Sequence, residues 1–169
     1  MNAMKFLFGL LLLVGVVQAQ TITVKNWRSD PRILEVRGIY AAVNTLIAKK
    51  LLKLEQKKFG YCPSWDLERS KFTAANGLVR RYIKAGGSED SAVTFEHTYD
   101  ARGRLRFVLV KAGAVNDTHL ELRFYFDVTG RRVWLDRRQT GPGYTFADAD
   151  FVREMVWNPK KAFVAAAPC

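Results

Sequence analysis

Between Pro31 and Lys58 the apolar residues recur as Ile33, Val36, Tyr40, Val43, Ile47, Leu51 and Leu54. The steps are of three and four residues, the spacing that lines one face of an α-helix. Asp30 stands where a helix cap accepts backbone N–H groups, and Pro31 suits the first turn. Lys49, Lys50, Lys53, Lys57 and Lys58 gather at the far end, where the helix dipole favours positive charge, and Gly60 supplies a stop. The spacing therefore predicts one long amphipathic helix over about Pro31 to Lys58.

After that helix the pattern changes. Tyr61-Cys62-Pro63-Ser64-Trp65 cannot continue it, and the stretch up to Asn76-Gly77 has no clean period, so it reads as a structured connection. From Leu78 onward come short β-like runs separated by turn residues: Leu78 to Lys84, Ala92 to Tyr99, Arg104 to Lys111, Thr118 to Phe126, and Arg131 to Arg138. Links this short join antiparallel neighbours, and a meander is the simplest topology. Gly141-Pro142-Gly143 ends the strands. Asp148 to Trp157 then suits a short helix, with Phe151 and Met155 as its buried pair, and residues 158–169 read as a tail. The expected fold is α+β: a long N-terminal amphipathic helix packed on an antiparallel meander of about four to five strands, with a short C-terminal helix. A β-favouring stretch, Thr21 to Trp27, precedes the helix. This order of elements is similar to that of cystatin-like domains, in order alone.

Two links share one design, Tyr99-Asp100-Ala101-Arg102-Gly103-Arg104 and Phe126-Asp127-Val128-Thr129-Gly130-Arg131. Asp opens a turn through its side chain, and Gly three residues later takes the left-handed conformation of a bulged hairpin. A bulge at Gly103 puts Tyr99, His97 and Phe95 on one face with Leu105, Phe107 and Leu109. In the second hairpin a bulge sets Phe124 opposite Trp134, and its absence sets Phe124 opposite Val133. Leu120, Leu122, Phe124 and Phe126 form an apolar row suited to covering by the helix, which leaves His119, Glu121, Arg123 and Tyr125 for the outer face.

The N-terminus reads as an address. Lys5, the apolar run Phe6 to Val17 and Val17-Gln18-Ala19 make a secretory signal over residues 1–19, cut after Ala19. The apolar run is shorter than the roughly 20 residues that span a bilayer; the competing reading is an uncleaved anchor. Residues 20–169 make one domain of ordinary size, exported to the periplasm or cell surface. An exported chain meets oxidising conditions, so Cys62 and Cys169, the only two cysteines, are expected to form a disulfide. It would close a loop of over a hundred residues, worth about 4–5 kcal/mol in chain entropy. The alternatives are free thiols or a link to another chain.

The formal charge of +11 falls to +10 with the loss of Lys5. A surplus of this size suits anionic partners, and it is equally common on solvated surfaces. Arg80, Arg81, Arg104, Arg106, Arg131, Arg132, Arg137 and Arg138, together with Arg102, fall on strands or hairpin ends. With Tyr82, Tyr125 and Trp134 they are candidates for an anion-binding sheet; the plainer account is that alternating strands must turn polar residues outward. His97 lies on an apolar face as a structural histidine, and His119 beside a turn. Asp148 and Asp150 are explained by capping. No nucleophile elbow, zinc-protease helix or phosphate-cradling loop is present, and no catalytic residue, metal-ligand set or cofactor is read from the chain. The leading expectation is a non-enzymatic binding or assembly protein of the cell envelope with an envelope protein partner. The alternatives are a module for an anionic polymer, nucleic acid or acidic polysaccharide, and a small hydrolase.

Overall fold

The computed structural model describes residues 21–62, 65–143 and 148–166. Helix α1 (Pro31–Ala48) begins as its residues require: Asp30 Oδ1 accepts the Arg32 N–H at 2.9 Å, and Pro31 occupies the first turn. Its end lies well short of Lys58. Lys50 adopts φ 55°, and the N–H groups of Lys50 and Leu51 donate to the carbonyls of Ile47 and Leu46, both at 2.9 Å. This closure normally uses a glycine at the left-handed position. Here a lysine fills it, so the chain advertises no stop before Gly60. Leu51 and Leu54, which continue the helical spacing in sequence, stand exposed beyond the true end.

Seven strands follow: β1 (Lys53–Cys62), β2 (Trp65–Thr73), β3 (Val79–Gly87), β4 (Ser91–Tyr99), β5 (Leu105–Ala114), β6 (His119–Phe126) and β7 (Arg132–Thr140). They form one antiparallel sheet in chain order. The expected long helix on four to five strands is thus corrected to a mostly β molecule in which α1 is the one helix of seven or more residues among those described. The last five strands overlap the runs marked in the sequence, with ends that differ by at most three residues. The first two lie in the stretches read as helix end and connection. Lys53-Leu54-Glu55-Gln56-Lys57-Lys58 is polar toward both sides because β1 is an edge strand, and charge there discourages pairing with another chain. Among the described residues no strand precedes α1, so the cystatin-like order is not met.

The sheet is built on three equivalent hairpins. Gly77, Gly103 and Gly130 have φ 77°, 78° and 86°, and each donates its N–H to the residue three before it, Ala74, Asp100 or Asp127. Past each turn the departing strand carries one extra residue. Thr73 pairs with Val79 but Phe72 with Arg81; Tyr99 with Leu105 but Thr98 with Phe107; Phe126 with Arg132 but Tyr125 with Trp134. The extra residues are Arg80, Arg106 and Val133. This bulge moves every later side chain to the other face. Val108 and Val110 therefore stand opposite His97 and Phe95, and Phe107 and Leu109 do not share their face. In the last hairpin Phe124 stands opposite Leu135, neither of the registers expected.

Both faces are covered. On one, Ile33 and Val36 of α1 pack with Trp27, Phe107, Leu109 and Tyr125. On the other, Tyr82, Phe95, Val108, Val110, Leu122 and Phe124 pack with Phe151 of α2 (Asp148–Val152) and Phe163 of α3 (Pro159–Val164). The row from Leu120 to Phe126 thus lies under the C-terminal segment rather than under α1, which covers the Tyr125 side instead. The short C-terminal helix is present as α2. The stretch read as a tail carries α3 and puts Phe163 into the core.

Candidate functional site

The arginines proposed for anion binding divide into two groups. Arg81 is 3% exposed; it donates to Thr98 Oγ1 at 3.1 Å, Glu96 Oε2 at 2.8 Å and Asn44 Oδ1 at 2.8 Å, and lies over the Tyr40 ring. Burial pulls its pKa down and Glu96 opposes that, so the ion pair keeps a buried cation charged. Arg106 is 2% exposed and donates to the Phe126 carbonyl at 3.1 Å and to Glu35 of α1 at 3.0 Å. Arg80 donates to the Tyr99 carbonyl at 3.2 Å. Arg80 and Arg106 are the bulge residues of the first two hairpins, and Tyr99 and Phe126 occupy equivalent places just before the next hairpin's turn. Each guanidinium therefore ties one hairpin to the next. Arg104 is held by Asp100 at 2.7 Å, Arg137 by Asp148 at 2.6 Å and Arg138 by Asp136 at 3.2 Å. The aromatic candidates are equally occupied: Tyr82 and Tyr125 are buried, and Trp134 stacks on Trp27 at 5.7 Å.

What remains free gathers at one end of the sheet. The turns of all three hairpins lie there, side by side because the sheet is a meander. With strands about 4.8 Å apart, successive tips are about 10 Å apart. Arg102 on the second tip and Arg132 on the third are exposed, and their side chains make no hydrogen bond or ion pair among the described residues; Arg131, also exposed on the third tip, lies within electrostatic reach of Asp127. Lys160 at the start of α3 brings its Nζ to 4.0 Å from where a Cβ on Gly77 would sit, which places it at the first tip. Trp157 lies against Gly130 at the third. Lys49, Lys50 and Lys53 belong to the same end, since β1 starts opposite Thr73.

The acids of this rim are consumed locally. Asp100 Oδ1 accepts the N–H groups of Arg102 and Arg104 at 2.9 and 3.0 Å, and Oδ2 accepts Arg104 Nε at 2.8 Å. Burial works against its ionisation, but these donors hold the carboxyl below the ordinary aspartate range. Asp127 is held down in the same way, against its burial, by Thr129 and Arg131. The opposite end differs in sign. Its turns carry Glu89, Asp90 and Asp117 and no lysine or arginine over residues 88–91 and 115–118.

The two histidines lie apart. His97 is fully buried, its Nε2 3.2 Å from the Glu154 carbonyl, and His119 is exposed at the start of β6. Among the described residues no group of three His, Cys, Asp or Glu residues could hold a metal ion, and no helix is long and apolar enough to cross a membrane. Residues 1–19, read from the sequence as a secretory signal, Cys169 and the Cys62 side chain lie outside what the structure describes. Comparison of the chain with protein-family models, with curated proteins and with solved structures returned no match.

Sequence reasoning named Arg131, Arg132 and Arg102 but missed Lys160 and Trp157. Both lie beyond the strands, where no alternation marks them. A solitary tryptophan followed by Asn158-Pro159-Lys160-Lys161 was the available signal.

Proposed function

We propose that the protein is an exported, non-enzymatic binding protein of the cell envelope whose ligand is an anionic polymer, docked along the hairpin-tip rim. One observation carries this reading. At the tips the carboxylates are spent on turn N–H groups while Arg102, Arg132 and Lys160 stand exposed without a side-chain partner and the exposed Arg131 has only the charge of Asp127 near it. Such a row attracts a polyanion by charge and releases its counterions. The Cys62–Cys169 disulfide belongs to the same proposal, since export supplies the oxidising conditions it needs.

The test is binding of the mature chain to a polyanion, with polygalacturonate and single-stranded DNA as probes, at rising salt. Four phosphate-like contacts give a slope of log K against log salt of about −3, so affinity falls about 60-fold between 50 and 200 mM. The triple variant Arg102→Gln, Arg131→Gln, Lys160→Gln leaves Arg132 alone and is expected to cut that slope to about −0.7. Binding that ignores salt, or that the triple variant retains in full, sinks the proposal.

A further inference from the structure

Trp157 is 54% exposed, yet it is not loose. Its ring meets Phe126 edge-on, with centroids 5.4 Å apart and planes at 80°. A Cβ on Gly130 would lie 3.2 Å from Trp157 Cζ3 and 3.7 Å from Cη2, so the indole rests on bare glycine backbone. The chain is fixed on both sides. Before it, the Val156 carbonyl accepts the buried Tyr99 hydroxyl at 2.7 Å; after it, Asn158 Oδ1 accepts the Lys161 N–H at 3.0 Å and starts α3. Gly130 meets two requirements at once, a left-handed φ of 86° and room for the ring. The outcome is a large flat apolar surface held toward water, with Arg131 next to the glycine it rests on and Arg102 and Lys160 farther along the rim.

We infer that Trp157 is a stacking platform for a sugar ring and that the polymer on the rim is an acidic polysaccharide. This rests on the rim reading above and narrows it. A pyranose presents a face of C–H groups that suits the negative face of an indole, and its carboxylates or sulfates would fall to the flanking guanidinium and ammonium groups. Single-stranded nucleic acid fits less well. Proteins that bind it set aromatic rings in series for successive bases, and here Trp27, Tyr82 and Tyr125 are buried. One ring among spaced cations matches a chain of sugars bearing charge at intervals.

The experiment titrates the mature protein with a galacturonate oligomer, an uncharged glucose oligomer of the same length and oligothymidylate, by calorimetry. The galacturonate oligomer is expected to bind the wild type, and Trp157→Ala to weaken it about tenfold or more, the worth of one stacked ring. Trp157→Phe, which keeps an aromatic ring against Phe126, guards against a folding defect and is expected to lose less. If both variants bind the galacturonate oligomer as the wild type does, the platform is overturned while the cationic rim stands. If oligothymidylate binds as tightly and loses as much in Trp157→Ala, the sugar assignment is overturned. If the wild type binds neither charged oligomer, the rim reading itself falls.

Discussion

His97 is the residue whose chemistry is most constrained by where it sits. It lies on the face covered by the C-terminal segment, between Tyr82 and Phe95, with Nδ1 buried and unpartnered. Burial pushes its pKa down to about 4, with the Glu154 carbonyl pulling the other way and the Lys84 charge adding to the fall. The unfolded chain takes up that proton near pH 6.5. Between about pH 6.5 and 4 the unfolded state therefore binds more protons than the folded one, and stability falls as pH falls through that window. The loss amounts to about 3 kcal/mol by pH 4, and none of it arises above about pH 7. Urea melts of the wild type and of His97→Phe from pH 7.5 to 4 measure the difference. Parallel curves for the two proteins would show that His97 takes no part in the acid sensitivity.

Among the elements, the end of α1 decides where the sheet begins. The left-handed Lys50 costs roughly 1 kcal/mol relative to a glycine at that place. Lys50→Gly is accordingly expected to raise stability by about 0.5–1 kcal/mol, read as a rise in the midpoint of thermal unfolding, because the native backbone there already suits glycine. A fall would mean that the lysine side chain makes a contact worth more than the strain. The same position explains why the helix was overextended in the sequence reading. Apolar spacing continued by chance through Leu51 and Leu54, and a stop without glycine leaves no mark in composition. The hairpins were more legible. Asp-x-x-Gly announced two of the three turns, whereas the first has Ala74 in the aspartate's place and shows its kinship only through Gly77 and the bulge at Arg80.

For the whole molecule, cations that cross between elements add to the strand ladder and the two apolar clusters. Arg80 and Arg106 link successive hairpins, Arg81 reaches Asn44 of α1, and Arg69 donates to the carbonyls of Ala162, Ala165 and Ala166 at 2.8, 2.6 and 3.1 Å, fastening the end of α3. Lys84 and Glu154 add an ion pair between β3 and the C-terminal segment. Arg106→Met keeps the apolar stem and removes the guanidinium, leaving the Phe126 carbonyl and Glu35 without this donor and Asp100, 3.7 Å away, with Arg104 as its one guanidinium among the described residues. The expected cost is about 2–4 kcal/mol in denaturant melts, with exchange of the β6–β7 backbone amides rising to match. A loss under 0.5 kcal/mol would show that the Arg106 tie adds little to the strand ladder and apolar packing that join the hairpins.

Local chemistry, taken from the chain itself, settled the last five strands, the capped start of α1 and the Asp-x-x-Gly turns, because each depends on residues a few positions apart. The cationic character of the protein was equally plain. Tertiary structure decided which cations are internal ties and which face water. The bulges at Arg80, Arg106 and Val133 set the register, and the register set the face on which every later side chain falls. Only the assembled sheet brings three distant turns to one end and lays Trp157 across Gly130. That juxtaposition depends on strand pairing and on the path of the C-terminal segment, neither of which leaves a periodic trace in sequence.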